Sequence, residues 1–531
     1  MRSCLGGTLA PMRTPVLFSA ALFALIAISS TVRAESCAAL AKLALPDTTI
    51  TTAELVTTGN FTPPYGAPMT GLPAFCRVSG ILHPTADSVI RFEVWMPEKE
   101  WNHRYMGTGN GGFAGTIYYG QLGESLKRGF AAGGTDTGHQ ADAEDASWAY
   151  KHPEKIVDFG WRGLHLTTAG AKTIVDRFYG KAPKKSYFDS CSDGGREALM
   201  EAQRFPDDYN GILAGAPANY WTHLVTAGVP QSKVMLSNPA GYISSLKLPA
   251  ITAAVLAQCD AQDGLKDGIL NDPRDCHFDP ETLLCKHGDE LTCLTEPQIK
   301  TLETIYHGGV DDQGKLIFPG LMPGDEAGLW KAWIIQDGPG TNLYAQNFFR
   351  YMVYDDPTWN TLTADTDKAV ADADAKTAQA LNATDPDLSA FAAHGGKLIL
   401  YHGWNDPAIS PLNTINYYGQ VQTKMGAAKT AEFVRLYMVP GMGHCTGGVG
   451  ATAFGQFGLP TAKGPKYGIF DALESWEEHG TAPTAVIATK YDAAHKVEMT
   501  RPLCPYPQIA KYNSTGDPND EASFACAAPS R

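Results

Sequence analysis

The chain has 11 cysteines but no C-x-x-C pair, so the usual spacing of a structural zinc site is missing. It has no internal repeat, which excludes solenoids and propellers. Past residue 34, no run is apolar over the ~20 residues that a bilayer-spanning helix needs. There is no basic excess either: 42 Lys and Arg stand against 56 Asp and Glu, a formal net charge of −14. Such a balance argues against nucleic acid or an anionic membrane as a partner. The glycine-rich stretch Gly107-x-Gly109-x-Gly111-Gly112 lacks the G-x-G-x-x-G spacing and a following helix. A dinucleotide site is therefore not expected, nor any other organic cofactor.

The chain does have the features of an exported protein. Arg2 and Arg13 precede an apolar stretch from Val16 to Ile28, and the small residues Val32 and Ala34 follow. Residues 1–34 read as a cleavable signal peptide, which places the mature protein in the periplasm or outside the cell. Removing them takes away Cys4, three arginines and no acid, and leaves an even ten cysteines. Full pairing is expected in an oxidising compartment. Local spacing favours Cys37–Cys76, Cys259–Cys276, Cys285–Cys293 and Cys504–Cys526. This leaves Cys191 and Cys445 for each other, although spacing does not fix connectivity.

Residues 35–80, rich in Thr, Pro and Gly, read as a covering segment. From Ser88 onward, short apolar runs alternate with glycine turns and helical patterns. Strands are expected at Val89–Met96, Arg104–Gly107, Phe130–Thr135, Ser186–Ser190 and Gly211–Gly215. This alternation predicts an α/β fold with a mostly parallel sheet covered on both faces. It stops near Ala216 and resumes at Lys397–Tyr401 and Phe433–Val439. Three mature regions follow: a first half of the main domain at 35–215, an inserted lid domain at 216–395, and the second half at 396–531. Within the lid, the acidic, alanine-rich stretch Ala364–Ala380 reads as a solvated helix.

Three constellations carry chemistry. Ser192, in Ser190-Cys-Ser-Asp-Gly-Gly195, falls between an expected strand and an expected helix. A serine on so tight a turn presents its hydroxyl above the sheet, and Gly194 and Gly195 give the turn room. Ser190 stands where G-x-S-x-G has its first glycine. Asp406 and His444 follow the two late strands, in the order Ser, Asp, His that suits an α/β-hydrolase fold with a large inserted lid. Ser192 would attack an ester carbonyl, His444 would carry the proton, and Asp406 would orient the imidazole. Asp193 would supply one oxyanion-hole N–H, and Gly111 or Gly112 the other. Asp136 is another nearby acid. The third constellation is Asp260-Ala-Gln-Asp-Gly-Leu-Lys-Asp-Gly-Ile269. It reads either as an acidic Asp-Gly turn or as an oxygen-rich Ca²⁺ loop; Asn271 in the twelfth place excludes an EF-hand.

Together the Cys-Ser-x-Gly-Gly, His-Gly-x-x-Asp-Pro and Gly-x-Gly-His-Cys runs resemble the tannase and feruloyl esterase family, from about Cys37 to Cys526. The resemblance implies a disulfide Cys191–Cys445. It also implies a structural Ca²⁺ held by Asp260, Asp263 and Asp267 with the carbonyls of Leu265 and Ile269. The expected activity is a secreted serine esterase acting on hydroxycinnamoyl, galloyl or related aromatic esters, free or on a plant polymer. A terephthalate-monoester hydrolase is the alternative, but Ile409 stands where that branch places an aromatic residue. Phe348, Phe349, Arg350 and Trp404 are candidate acyl-selecting residues, each read equally well as a packing residue. An inactive, calcium-stabilised extracellular binding protein is the alternative of another class. Oligomeric state is not readable from the sequence.

Overall fold

A computed structural model describes residues 34–335 and 342–529. The expected signal peptide, apart from Ala34, lies outside the described residues. Nine strands form one twisted sheet: β1 (Thr48–Val56), β2 (Phe75–Leu82), β3 (Ile90–Pro97), β4 (Arg104–Thr108), β5 (Ala131–Thr135), β6 (Lys185–Cys191), β7 (Gly211–Gly215), β8 (Lys397–Gly403) and β9 (Val434–Val439). Their order in space is β1-β2-β3-β5-β4-β6-β7-β8-β9. The first three pairings are antiparallel and the rest parallel.

Side chains of the central strands alternate between two apolar layers, as a pleated sheet buried on both faces requires. Phe188, Leu398, Leu400 and Leu436 point to one layer, with α2 (Gly163–Tyr179), α3 (Asp193–Arg204) and α4 (Pro411–Met425). Tyr187, Ile399, Tyr401 and Tyr437 point to the other, with α1 (Tyr119–Lys127) and α5 (Ile469–His479). Each such buried side chain contributes about 1.5–3 kcal/mol. Close strand packing also dictates some glycines: a Cβ at Gly215 would lie 2.2 Å from the Tyr401 ring. The arrangement is an α/β-hydrolase fold.

The segment between β7 and β8 adds no strand to this sheet. It has its own apolar core, with Met235, Ile251, Leu302 and Trp330, and a small hairpin of Gly308–Val310 with Leu316–Pro319. Within it, Pro239–Asp263 is long and apolar enough to cross a membrane by length and composition, contrary to the expectation from hydropathy. Here the run is broken into turns at Pro239–Gly241, Ser245–Lys247 and Asp260–Asp263 around the helix Leu248–Cys259. Leu248, Ile251 and Val255 of that helix pack into the lid core.

Two sequence expectations change. Residues 35–80 do more than cover the domain, since they supply β1 and β2 at one edge of the sheet. β1 is half-exposed along its length, so its Thr-rich sequence lacks an apolar signal. Cys37, in a short turn of helix, bonds to Cys76 within β2 and fastens this edge. The alanine-rich stretch forms the helix Thr366–Leu381, but Ala369, Ala373, Thr377 and Leu381 are buried along one side. Asp374 on this helix accepts the Thr222 hydroxyl at 2.6 Å. Small alanines conceal such a stripe from a hydropathy reading.

Asp136 follows β5 and is buried, its Oδ1 accepting the N–H groups of Arg91 and Gly138 at 2.9 Å each. Burial outweighs those donors and pushes its carboxyl up to about 7. An unfolded aspartate titrates near ~3.9, so the folded state alone holds this proton between the two values, and stability falls as pH rises through that window. Asp136→Asn should therefore raise the melting temperature most above pH 7, with the gain shrinking toward pH 4. Melting curves across that range test it.

Candidate active site

β6 ends at Cys191 and α3 starts at Asp193, so Ser192 alone makes the turn. Its φ of 67° and ψ of −124° lie outside the regions favoured by L-residues. Main-chain bonds hold it there. Ser192 N–H donates to Gly215 O at 3.0 Å, Gly194 N–H to Asn110 O at 2.8 Å, and Ala218 N–H to Ser192 O at 3.1 Å. A Cβ on Gly194 would lie 1.9 Å from Ser190 Oγ, and one on Gly195 2.3 Å from Gly215 O. Both glycines are therefore needed for close approach.

The loops after β8 and β9 bring the other two residues to this serine. His444 Nε2 is 2.9 Å from Ser192 Oγ, and His444 Nδ1 is 2.8 Å from Asp406 Oδ2. Asn405 N–H donates to Met442 O at 2.9 Å and ties the two loops together. Asp406 Oδ1 accepts the N–H groups of Ala408 and Ile409 at 2.8 and 3.0 Å. Burial alone would raise the Asp406 carboxyl. The histidines facing it, His444 and His402, outweigh that and hold it well below the ordinary carboxylate range. Asp136 takes no part in this array.

His402 was given no role by sequence reasoning. It is fully buried, with Nε2 3.1 Å from Asp406 Oδ2. It stands four residues before Asp406 in the run His402-Gly-Trp-Asn-Asp-Pro407, but nothing in that spacing shows the ring turning back onto the same carboxylate. Asn110 and Glu197 were also missed. Asn110 N–H donates to Glu197 Oε2 at 2.8 Å, and Asn110 Nδ2 reaches Thr116 O and Thr135 O. These bonds fasten the glycine-rich loop to α3. The Asp193 carboxylate points away from the serine into an ion pair with the buried Arg196 at 2.5 Å. Arg196 also donates to Gly160 O and Phe159 O.

Ser192, Asp193, His444 and Gly112 line a cleft whose far wall comes from the lid. Its apolar surface includes Trp221, Leu224, Phe318, Trp333 and Ile409, and the Trp333 ring meets His444 edge-on at 5.0 Å. Among the described residues, the N–H groups of Gly112 and Asp193 are not engaged by another main-chain group. Gly111 does not line the cleft. The expected acyl-selecting residues are elsewhere. Phe348 and Phe349 are buried in a neighbouring cluster, Arg350 donates to Trp359 O, and Trp404 lies beneath Arg274. Aromatic composition alone does not reveal which rings face a cavity and which fill a core.

All five expected disulfides are present: Cys37–Cys76, Cys191–Cys445, Cys259–Cys276, Cys285–Cys293 and Cys504–Cys526. Cys191–Cys445 joins the immediate neighbours of Ser192 and His444, with Cα atoms 6.0 Å apart.

The loop closed by Cys259–Cys276 carries Asp260, Asp263 and Asp267, oxygen ligands of the kind a hard cation takes, but their carboxylates are not gathered within ligating distance of one another. Burial, helped by the charges of Asp267 and Asp260, pushes the Asp263 carboxyl up to about 6 against the N–H groups of Leu265 and Asn271. The side chains of Leu265 and Ile269 pack into apolar clusters. Arg501 Nη2 lies 3.0 Å from Asp267 Oδ2 and offsets part of the negative charge.

The family profile described as "Tannase and feruloyl esterase" matches residues 76–527. An uncharacterised esterase of Xanthomonas campestris is 42% identical over 96% of this chain and 93% of its own. A probable feruloyl esterase B of Aspergillus clavatus is 34% identical, covering 92% of this chain and 95% of its own. The crystal structure of feruloyl esterase B from Aspergillus oryzae superposes with a TM-score of 0.87 at 30% identity, over 92% of this chain and 99% of that one. The tannin acyl hydrolase of Aspergillus niger shares the fold, with a TM-score of 0.74 at 24% identity over 91% and 92%.

Closing the long loop with Cys191–Cys445 contributes about 5 kcal/mol in the chain-entropy model, and it fixes the spacing of Ser192 and His444. The double variant Cys191→Ser/Cys445→Ser should unfold at lower urea and lose ester turnover even where it is still folded. Urea titrations paired with rate measurements check both parts.

Proposed function

The chain belongs to the tannase and feruloyl esterase family and is a carboxylic ester hydrolase; we propose that Ser192, His444 and Asp406 are its catalytic triad and that its substrates are uncharged aromatic carboxylic esters. The observation that carries this reading is the continuous hydrogen-bonded run from Ser192 through His444 to Asp406, opening on an apolar cleft. Ser192 Oγ attacks the acyl carbon as His444 Nε2 takes its proton. The imidazolium that forms is stabilised by Asp406, and it returns the proton to the leaving alcohol. Water repeats the sequence on the acyl-enzyme. The oxyanion is received by the N–H of Asp193, at the positive end of α3, and by that of Gly112. Glu197 and Asn110 hold the Gly112 loop in place.

The lining supports a neutral acyl group over terephthalate. None of the described lining residues is Lys or Arg, and Glu144 adds negative charge. Residues 336–341, Gln-Asp-Gly-Pro-Gly-Thr, contain no cation. A second carboxylate on the ring would be desolvated without a partner, at a cost of several kcal/mol. Feruloyl and galloyl groups carry no such charge, and relatives named feruloyl esterase favour the former. The five disulfides support an oxidising, extracytoplasmic location. The acidic loop at Asp260, Asp263 and Asp267, with the carbonyls of Leu265 and Ile269, holds a structural Ca²⁺.

Ser192→Ala should lower kcat on methyl ferulate and methyl gallate by on the order of 10⁵-fold with the melting temperature unchanged, and should abolish labelling by a fluorophosphonate. Retained labelling would remove Ser192 from the mechanism. A terephthalate monoester should be hydrolysed far more slowly than its uncharged methyl diester. Chelation should lower the melting temperature, and Ca²⁺ should restore it. Asp263→Asn should be insensitive to both treatments.

A further inference from the structure

We infer that His402 is a positioning residue for the triad, one that acts on His444 only through Asp406; this rests on the reading of Asp406 as the triad acid. His402 Nε2 lies 3.1 Å from Asp406 Oδ2 and 3.0 Å from the main-chain oxygen of Ile409. Both are acceptors, so Nε2 must carry a proton. Nδ1 lies 2.7 Å from Thr414 Oγ1. A neutral ring accepts the threonine proton there, and the chain of donors runs Thr414 to His402 to Asp406. All of these groups are buried, so an unmatched donor or acceptor would cost heavily.

Asp406 Oδ2 therefore sits between two imidazoles, one on each side. His444 Nδ1 at 2.8 Å must donate when that ring becomes an imidazolium, and His402 Nε2 already donates. Oδ1 is filled by the N–H groups of Ala408 and Ile409. With those donors in place the carboxylate cannot rotate, and its remaining lone pair on Oδ2 points at His444. The charged and titratable groups facing Asp406 are His402 and His444. His402 comes from β8 itself and Thr414 from α4, so rigid elements hold Oδ2 while the acid's own loop holds Oδ1.

The arrangement has two consequences. The His402 donor draws charge from Oδ2, so it restrains the attraction that Asp406 exerts on a protonated His444. Removing it would leave Oδ2 without its second donor and would strengthen that attraction, moving the acid limb of the kcat/KM profile to higher pH. His402 does not line the cleft, so KM should not change.

The test compares His402→Leu, which removes the donor, with His402→Gln, whose side-chain amide can restore it, on methyl ferulate. His402→Leu should lower kcat on the order of ten- to a hundred-fold with KM unchanged and the acid limb displaced upward. His402→Gln should recover most of kcat and return the limb. If His402→Leu does not fold, Thr414→Val provides the measurement, since an unsupported Nδ1 should give a smaller kcat loss with the same constant KM. A kcat within twofold of wild type in the folded Leu or Val variant, or equal losses in the Leu and Gln variants, overturns the proposal. Asp406→Asn distinguishes the two readings. If it is severely impaired while His402→Leu is not, the triad stands and the role of His402 falls; if it is fully active, the triad assignment itself falls.

Discussion

Holding Ser192 at a positive φ is the constraint on which the site depends, because that conformation lifts the hydroxyl above the ends of the strands. A non-glycine residue in such a region costs about 1–3 kcal/mol, which the surroundings must offset. They do so by crowding. Ser190 and Gly215 lie directly against Gly194 and Gly195, and three main-chain hydrogen bonds fix the turn to the neighbouring strand and loop. Asn110 takes part on both sides, receiving Gly194 N–H and donating to Glu197. The turn that exposes the serine and the loop that carries Gly112 are thus one hydrogen-bonded unit.

The histidine belongs to a different unit, built on β8 and β9, and its register with the serine could drift if it rested on loop packing alone. Two connections prevent this. Asn405 ties the acid loop to the histidine loop, and Cys191–Cys445 ties the histidine loop to the end of β6. The sulfurs need no reactivity for this role. The lid, rooted between β7 and β8, also touches the acid loop, where Asn405 Nδ2 donates to Pro323 O at 3.0 Å.

Legibility in the sequence followed how local each signal was. The central strands were readable because burial on both faces makes them continuously apolar, and the strand-end positions of Ser192, Asp406 and His444 because each follows such a strand. β1 was hidden, since an edge strand with one exposed face is rich in threonine. The buried side of Thr366–Leu381 was hidden because alanine contributes little hydropathy while packing tightly. His402 and Asn110 were unreadable for a different reason. Their importance lies in the partners they reach, Asp406 and Glu197, and hydrogen-bond partnership leaves no periodic trace. Aromatic residues were ambiguous, readable as cleft lining or as packing: Phe348 and Trp404 fill cores, while Trp333 faces the cleft.

The disulfide beside the serine also determines the covalent topology of the chain. Cys191 and Cys445 are separated by 254 positions, and the whole inserted lid lies between them. A protease cut anywhere within that span opens the ring without dividing the molecule. An enzyme of this design can thus become a two-chain protein with its serine and histidine still bolted together. A break in the lid leaves the halves of the site joined.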